Sequence, residues 1–426
     1  MSALAQSNLA KFIPRYKAET SELALAGWDA LPETSSDWVN ALRKRGYNSL
    51  SETGLPTPKL ERWKFTNLPA KLKKMSLAYT QADIELSGMT DYAFSFPKGF
   101  MNFPSWAKDM IEGLPAAYEK YGDMMLWQAA NAFLKDGFVV DVPANVDVKA
   151  PLSVMLTGRE GQQIAPRYVM SVGVGAQLTI IEYQTGSGAY WSNIVSQIKL
   201  EKGASLRHYR FQENSDEAVV THATHIEMEG GAHYEAFTLT TGAGLSRNQI
   251  HVELKGARSV CKLNGINMLD GQEHADTTIT VEHQAPDCNS YQDYRSVVTD
   301  KASGVFQGKV HVHQIAQKTD GFQMAKSLLL SNQATMDTKP ELEIYADDVK
   351  CSHGATAGRL DEDALFYLRS RGIPEKQARN LLIEAFVAEV FETISDEDVK
   401  EQAALIVSKW LEEDLPADSE NWLEEA

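Results

Sequence analysis

The 426-residue sequence predicts a mainly β protein with α-helical regions at both ends and a centre coiled as a parallel β-helix. Three observations carry this reading. From Phe138 onward, apolar and polar residues alternate and Val, Ile, Tyr and Thr abound, the texture of strands. Gly-Ala pairs recur at Gly175-Ala176, Gly203-Ala204, Gly231-Ala232 and Gly256-Ala257, at intervals of 28, 28 and 25 residues. After each of the first three pairs the strand pattern restarts in one register. Leu178, Leu206 and Tyr234 stand three residues past the glycine; Ile181, Tyr209 and Phe237 stand six past; Tyr183, Phe211 and Leu239 stand eight past. The fourth pair drifts, with Val260 one residue late. Like positions at a fixed period mean stacked coils, each a turn plus two or three short strands, with glycine supplying the corners. A β-sandwich with coincidental turns is the competing architecture. Against it, Asn264-Gly265 is the only Asn-Gly pair, so hairpin signals are sparse.

This divides the chain into an N-terminal helical region (1–135), a β-helix core (136–360) and a C-terminal helical region (361–426). In the first, Ser36 caps a helix that carries Trp38, Val39 and Leu42 and stops at Gly46. Pro56, Pro58, Pro97 and Pro104 interrupt anything longer, and Pro115 opens a second helix running through Tyr118, Met125, Leu126, Ala129 and Phe133 to Gly137. At the other end, Pro374 fits the first turn of a helix reaching about Ile394. Leu382, Phe386, Val390 and Ile394 recur four apart along it, with Ala378, Leu381, Ala385 and Phe391 beside them. Ser395 caps a following helix with Asp396, Glu397 and Asp398 in its first turn and Val399, Ala403, Ile406 and Trp410 on one face. A solenoid exposes an unpaired edge at each end, and the two helical regions are the expected covers. The acidic tail after Glu412 is expected to be solvated and frayed.

Composition narrows the function. Hydrophobic residues make up 43% and charged residues 23%, as in a folded soluble protein, and no apolar run is long enough to span a membrane. Three cysteines make no disulfide framework, and the first residues carry no signal-type apolar core; both point to a reducing cytoplasm. A net charge of −17 repels nucleic acid. The stretch GVFQGK (304–309) is too short between its glycines for a phosphate loop, and Gly242-Ala243-Gly244 completes no dinucleotide fingerprint, so no ATP site is expected on this chain.

None of the ten histidines precedes His208. His222 and His225 lie three apart, and His311 and His313 two apart; each pair is either a metal site or a set of satisfied surface and ladder residues. His208 shares its register with Ile180 and Ala236 and should face its rung neighbours. Cys261 and Cys288 read as small buried residues. Cys351 and His353 differ, because they sit where the coil pattern ends. Extended backbone puts residues two apart on one face, so a thiol and an imidazole, both ligands for iron, zinc or copper, point the same way. Asp347 and Asp348 upstream either add oxygen ligands or hydrogen-bond a turn. A last rung is also where a second chain can pair.

The strings VFQGKVHV (305–312), AQKTDGFQMAKSLLLS (316–331), PELEIYADDVKCSHGAT (340–356) and LFYLRSRGI (365–373), with ERWKFTNL (61–68) and NAFLKDGFVVDVP (131–143) upstream, resemble the SufB/SufD family of iron–sulfur cluster assembly proteins. With no cysteine before Cys261, the resemblance is closer on the SufD side. It implies a right-handed parallel β-helix between helical regions, acting as a non-catalytic scaffold subunit in a SufBCD complex. It implies a heterodimer with SufB through β-helix edges, or a homodimer through the same edge in isolation. SufC ATPase would dock on the C-terminal helices, with Leu382, Phe386, Val390 and Ile394 as contact candidates. The position of His353 is implied to face a SufB cysteine, as iron ligand or proton acceptor, with Cys351 as companion. The cofactor would be a transient iron–sulfur cluster shared with SufB; a flavin at the level of the complex stays open. Two other classes stand beside this reading. One is a polysaccharide-active β-helix enzyme, such as a lyase, for which no export signal or Asp ladder is present. The other is a stand-alone metal enzyme using His311, His313 and His353.

Overall fold

The computed structural model describes residues 20–88, 91–96, 100–113 and 124–413. The helix start expected at Pro115 and the acidic tail beyond Glu413 lie outside the described residues. Strands account for 43% of the chain and helices for 24%, and the centre is a β-solenoid of about eight turns. Three short strands precede it: β1 (Ala78–Tyr79), β2 (Asp83–Gly88) and β3 (Ala93–Ser95). The solenoid opens with β4 (Gly137–Val142), β5 (Leu152–Arg159), β6 (Gln162–Ile164), β7 (Arg167–Val172), β8 (Gln177–Ser187) and β9 (Trp191–Leu200). It continues through β10 (Ser205–Glu213), β11 (Val219–Met228), β12 (His233–Thr240), β13 (Leu245–Leu254), β14 (Val260–Leu269) and β15 (His274–His283). The last coils are β16 (Asn289–Val298), β17 (Ser303–Val312), β18 (Thr319–Leu329), β19 (Thr335–Ile344) and β20 (Val349–Gly358). From β7 on, successive strands alternate between two sheets, ordered β4-β7-β9-β11-β13-β15-β17-β19 (the odd-numbered sheet, after its later strands) and β5-β8-β10-β12-β14-β16-β18-β20 (the even-numbered sheet), with every one of these neighbours parallel.

The register read from the Gly-Ala pairs is the observed one. Leu178 pairs with Leu206 and Leu206 with Tyr234; Tyr183, Phe211 and Leu239 form a second column. The fourth pair slips by two residues rather than one, because His233 pairs with Val260. The reason lies at the corner. Gly175, Gly203 and Gly231 hold it at φ of 65°, 70° and 72°, but the next coils place Arg258, Asp287 and Lys318 there at 65°, 58° and 59°. Each of these three accepts left-handed backbone that costs a non-glycine residue about 1–2 kcal/mol. A ladder of backbone bonds holds the corner in place: Gly203 N donates to Gly230 O, Gly231 N to Ala257 O, and so on to Lys318 N and Asp348 O. Asn264-Gly265, the one hairpin-like pair, lies inside β14.

The region before residue 135 is not purely helical. Besides α1 (Ser21–Ala24), α2 (Asp37–Thr53), α3 (Leu68–Leu72), α4 (Ser105–Glu112) and α5 (Met125–Ala132), it contributes β3 antiparallel to β4 and β2 antiparallel to β5, which close the first coil. Helix α2 does not stop at Gly46 but runs to Thr53, with Gly54 as C-cap at φ 68°. Gly46 is there for contact: a Cβ would lie 2.6 Å from both Ala132 N and Gln128 O of α5. Helix α5 ends at Ala132, with Phe133 as C-cap, short of Gly137. These elements pack on the outside of the odd-numbered sheet, where Met125, Leu126 and Ala129 meet Trp191, Val219 and Leu245. A fully buried ion pair fixes them there. Arg247 of β13 pairs with Asp276 of β15, lies 3.9 Å from the Trp63 ring centroid and donates to Arg62 O at 2.8 Å, while Thr66 also donates to Asp276.

The C-terminal helices are α6 (Glu362–Ser370), α7 (Glu375–Phe391) and α8 (Glu397–Glu413). Pro374 is the N-cap of α7 rather than part of its first turn. Ser395 does not cap α8: its hydroxyl and amide donate to Glu235 of β12, and Asp396 accepts from Val399 N instead. The helices also do not cover the end of the solenoid as expected. Ile383, Val387, Val390 and Phe391 pack sideways onto Tyr209, Phe211, Phe237, Leu239 and Ile266 on the outside of the even-numbered sheet. Sideways packing wins because those columns present outward aromatics, whose burial yields about 1.5–3 kcal/mol each. Arg295, paired with Glu389, and Trp410 Nε1, donating to Asp270 at 3.1 Å, pin α7 and α8 to the coils. Among the described residues, no strand pairs with the far edge of β19 or β20, and no helix is long and apolar enough to cross a membrane.

Candidate functional site

Cys351 and His353 lie on β20, the last strand of its sheet. Register shows where they point. Cys351 continues the column Leu206, Tyr234, Cys261, Ser290 and Gly321; His353 continues His208, Ala236, Leu263, Gln292 and Gln323. Both columns face the solenoid interior, where Cys261, Leu263, Gln292 and Gln323 are fully buried. Only in the last coil does that interior open, leaving His353 exposed and Cys351 half-buried. Cys351 packs beside Val310, Val312 and Ala346, and its Sγ lies 3.3 Å from where a Cβ on Gly321 would sit, so glycine makes its room. Burial pushes the Cys351 thiol up, against the pull of the Gly321 amide, so the isolated chain holds it protonated. Asp348 is a turn residue: its carbonyl accepts from Lys318 and its amide donates to Gln317 Oε1.

The rim therefore offers one thiol and one imidazole beside an unpaired strand edge. An iron–sulfur cluster needs about four such ligands. Cys351 and His353 are two donors, half of that number.

The other histidines sort by face. His222 turns inward, within 2.7 Å of Ser196 Oγ and 3.2 Å of Gln184 Nε2, whereas His225, three residues on, turns outward; they form no joint site. His311 and His313 lie on the outside of the odd-numbered sheet, rings 4.5 Å apart, bound to Glu343 at 2.8 Å and Glu282 at 3.1 Å. His353 belongs to the opposite sheet and faces inward, so the three-histidine enzyme site does not assemble. His208 sits between Ile180 and Ala236 as expected. Cys261 and Cys288 are buried.

Sequence reasoning missed a polar constellation inside the early coils. Glu182 Oε1 meets His208 Nε2 at 2.8 Å and its Oε2 accepts from Arg210 at 3.0 Å, while Tyr234 OH lies 3.0 Å from His208 Nδ1. Burial pushes the Glu182 carboxyl up, but Arg210 and His208 outweigh it and hold it well below the usual range. The available signal was Glu182 and Arg210 in paired inward register among apolar neighbours.

Burial drives His222 well below its ordinary value, and pushes His251 and His283 down to about 3. In each case the folded form stays neutral while the unfolded form gains a proton below about 6.5. Stability is then complete above pH 7 and falls as the medium is acidified toward the folded values, by about 1–2 kcal/mol per histidine at pH 5. Urea midpoints should drop clearly between pH 7 and pH 5, before most carboxylates titrate. A flat profile over that interval would contradict neutral buried imidazoles.

The chain matches the family model described as SUF system FeS cluster assembly, SufBD core domain, over residues 154–386. It is similar to the iron–sulfur cluster assembly protein SufD of Escherichia coli K12, 31% identical over 90% of this chain and 95% of that one. A SufBD family protein of Synechocystis sp. is 34% identical over 62% of this chain and 61% of its own length. The chloroplastic protein ABCI7 of Arabidopsis thaliana is 33% identical over 66% and 62%.

Proposed function

This chain belongs to the SufBD family of iron–sulfur cluster assembly proteins, and from that premise we propose that it is the SufD-like, non-catalytic scaffold subunit of a cytoplasmic SufBCD assembly complex. One observation carries the reading: at the last rung the coil interior opens, and Cys351 and His353 stand there beside two strand edges that no described residue pairs. A SufB-like subunit adds its strands to β19 and β20, and its thiolates complete the ligand set around His353, with Cys351 as the secondary donor. The cluster is transient and shared across that edge. The same edge serves a homodimer when the partner is missing.

The ATPase contact needs a corrected surface. Val390 and Ile394 are buried against the solenoid, and Leu382 and Phe386 are half-buried in the same cluster, Phe386 beneath the Arg295 guanidinium. The apolar side chains these helices leave exposed are Phe366 and Tyr367 on α6, Leu381 on α7 and Leu405 on α8. We propose that SufC docks there, and that α7 and α8, pinned to the coils through Arg295 and Trp410, pass its movement to the solenoid. Hydrogen exchange on the chain alone, with a SufB-like subunit, and with SufC tests both contacts. SufB should slow exchange in β19 and β20, and SufC should slow it on α6 and α7. Unchanged exchange at the rim in a complex that still forms would refute the edge pairing.

A further inference from the structure

On the outside of the odd-numbered sheet, two adjacent columns bring imidazoles and carboxylates together. One column stacks His225, His251 and Thr280; the next stacks Glu227, Glu253 and Glu282. The sequence echo is His225-Ile226-Glu227, His251-Val252-Glu253 and Thr280-Val281-Glu282 on successive coils. His225 and His251 lie ring over ring, 5.7 Å apart and 27° from parallel. One donor atom each from His225, His251 and Glu253 falls within a 4.8 Å sphere of mutual distance, and all three residues are buried. Glu253 Oε1 is 3.5 Å from His225 Nε2 and 3.9 Å from His251 Nε2; Glu282 Oε1 is 3.8 Å from His251 Nε2.

These separations are close to the ~3.4 Å expected between two donors bound at ~2.1 Å to one tetrahedral ion. The carboxylates are also oriented from behind. Lys255 Nζ holds Glu253 Oε2 at 3.1 Å, and His313 Nε2 holds Glu282 Oε2 at 3.1 Å, so each presents its Oε1 to the imidazoles. Outer partners that fix ligand orientation in this way are the ordinary support of metal sites.

We propose that His225, His251 and Glu253 form a binding site for one divalent first-row transition ion, zinc or ferrous iron, separate from the rim, with Glu282 bordering it beside His251. Two imidazoles with one carboxylate suit that class, whereas calcium and magnesium prefer all-oxygen shells. The ion would tie β11 and β13 together beneath the N-terminal region, whose Arg62 donates to Thr280 at 2.9 Å beside the site.

The test uses the full chain, stripped with chelator and titrated with cobalt(II) and zinc(II). Wild type should bind one equivalent, show a cobalt spectrum of tetrahedral intensity, and unfold at a higher temperature with zinc. His251→Asn and His225→Gln, which keep the stacked shape, should each lower affinity at least about 10-fold, while His353→Ala should leave it unchanged. Absence of stoichiometric binding by wild type overturns the site, as does binding that survives both substitutions or vanishes with His353→Ala. Because wild-type binding and the thermal shift are read directly, a poorly folding variant does not shield the proposal.

Discussion

Replacing His353 with alanine should leave the protein folded and its complex assembled, yet reduce cluster formation at least about 10-fold, since losing even an outer partner of a metal ligand costs about 10- to 100-fold. The argument is geometric. His353 is exposed on the final strand, so truncating it removes little packing and should move stability by no more than about 0.5 kcal/mol. What it removes is the one imidazole at the mouth of the interior columns. Anaerobic reconstitution of the co-expressed complex, scored by iron and sulfide content per heterodimer, makes the measurement. Ser352→Ala, on the same strand but the opposite face, is the matched control and should behave as wild type. Undiminished loading in His353→Ala would remove this residue from the chemistry. A complex that falls apart would make it a structural contact.

The largest stability effect belongs to Arg247. Arg247→Met leaves Asp276 without its guanidinium in a site where both side chains are fully buried, and breaking such a pair costs about 3–5 kcal/mol. Loss of the stack on Trp63 adds about 0.5–2 kcal/mol. The urea midpoint should fall accordingly, and the N-terminal region should lose protection first, because Trp63, Arg62 and Thr66 all converge on this pair. The double variant Arg247→Met/Asp276→Leu should recover much of the loss, since the damage comes from the uncompensated charge. A single variant as stable as wild type would mean that the anchor is not where the N-terminal region is held.

The solenoid was legible because its period is written in side chains. Leu178, Leu206 and Tyr234 announce their stacking, and β20 with its Cys-x-His ends the pattern visibly. The illegible parts have physical causes. Arg258, Asp287 and Lys318 occupy left-handed corners that glycine marks elsewhere, so the repeat fades from the sequence where the fold continues unchanged. Gly46 reads as a helix stop by composition but serves helix contact, which only the partner α5 reveals. The four-spaced stripe on α7 correctly signals an apolar face, yet periodicity does not say whether the neighbour is the same chain. For the candidate site, spacing put Cys351 and His353 on one face. It did not reveal that this face is the inside of the coil.

The two ends of the coil are unlike, and this limits what the protein can build. Short antiparallel strands bearing Asp83 and Glu85 blunt the first coil, whereas no strand among the described residues covers the last. A rod adhesive at both tips would recruit copy after copy and grow into a fibre. Under the proposed edge pairing, a molecule with one bare tip among its described residues spends it in a single encounter. Growth would then terminate at a pair, with the abundance of each partner deciding which pair forms, not how long a polymer becomes.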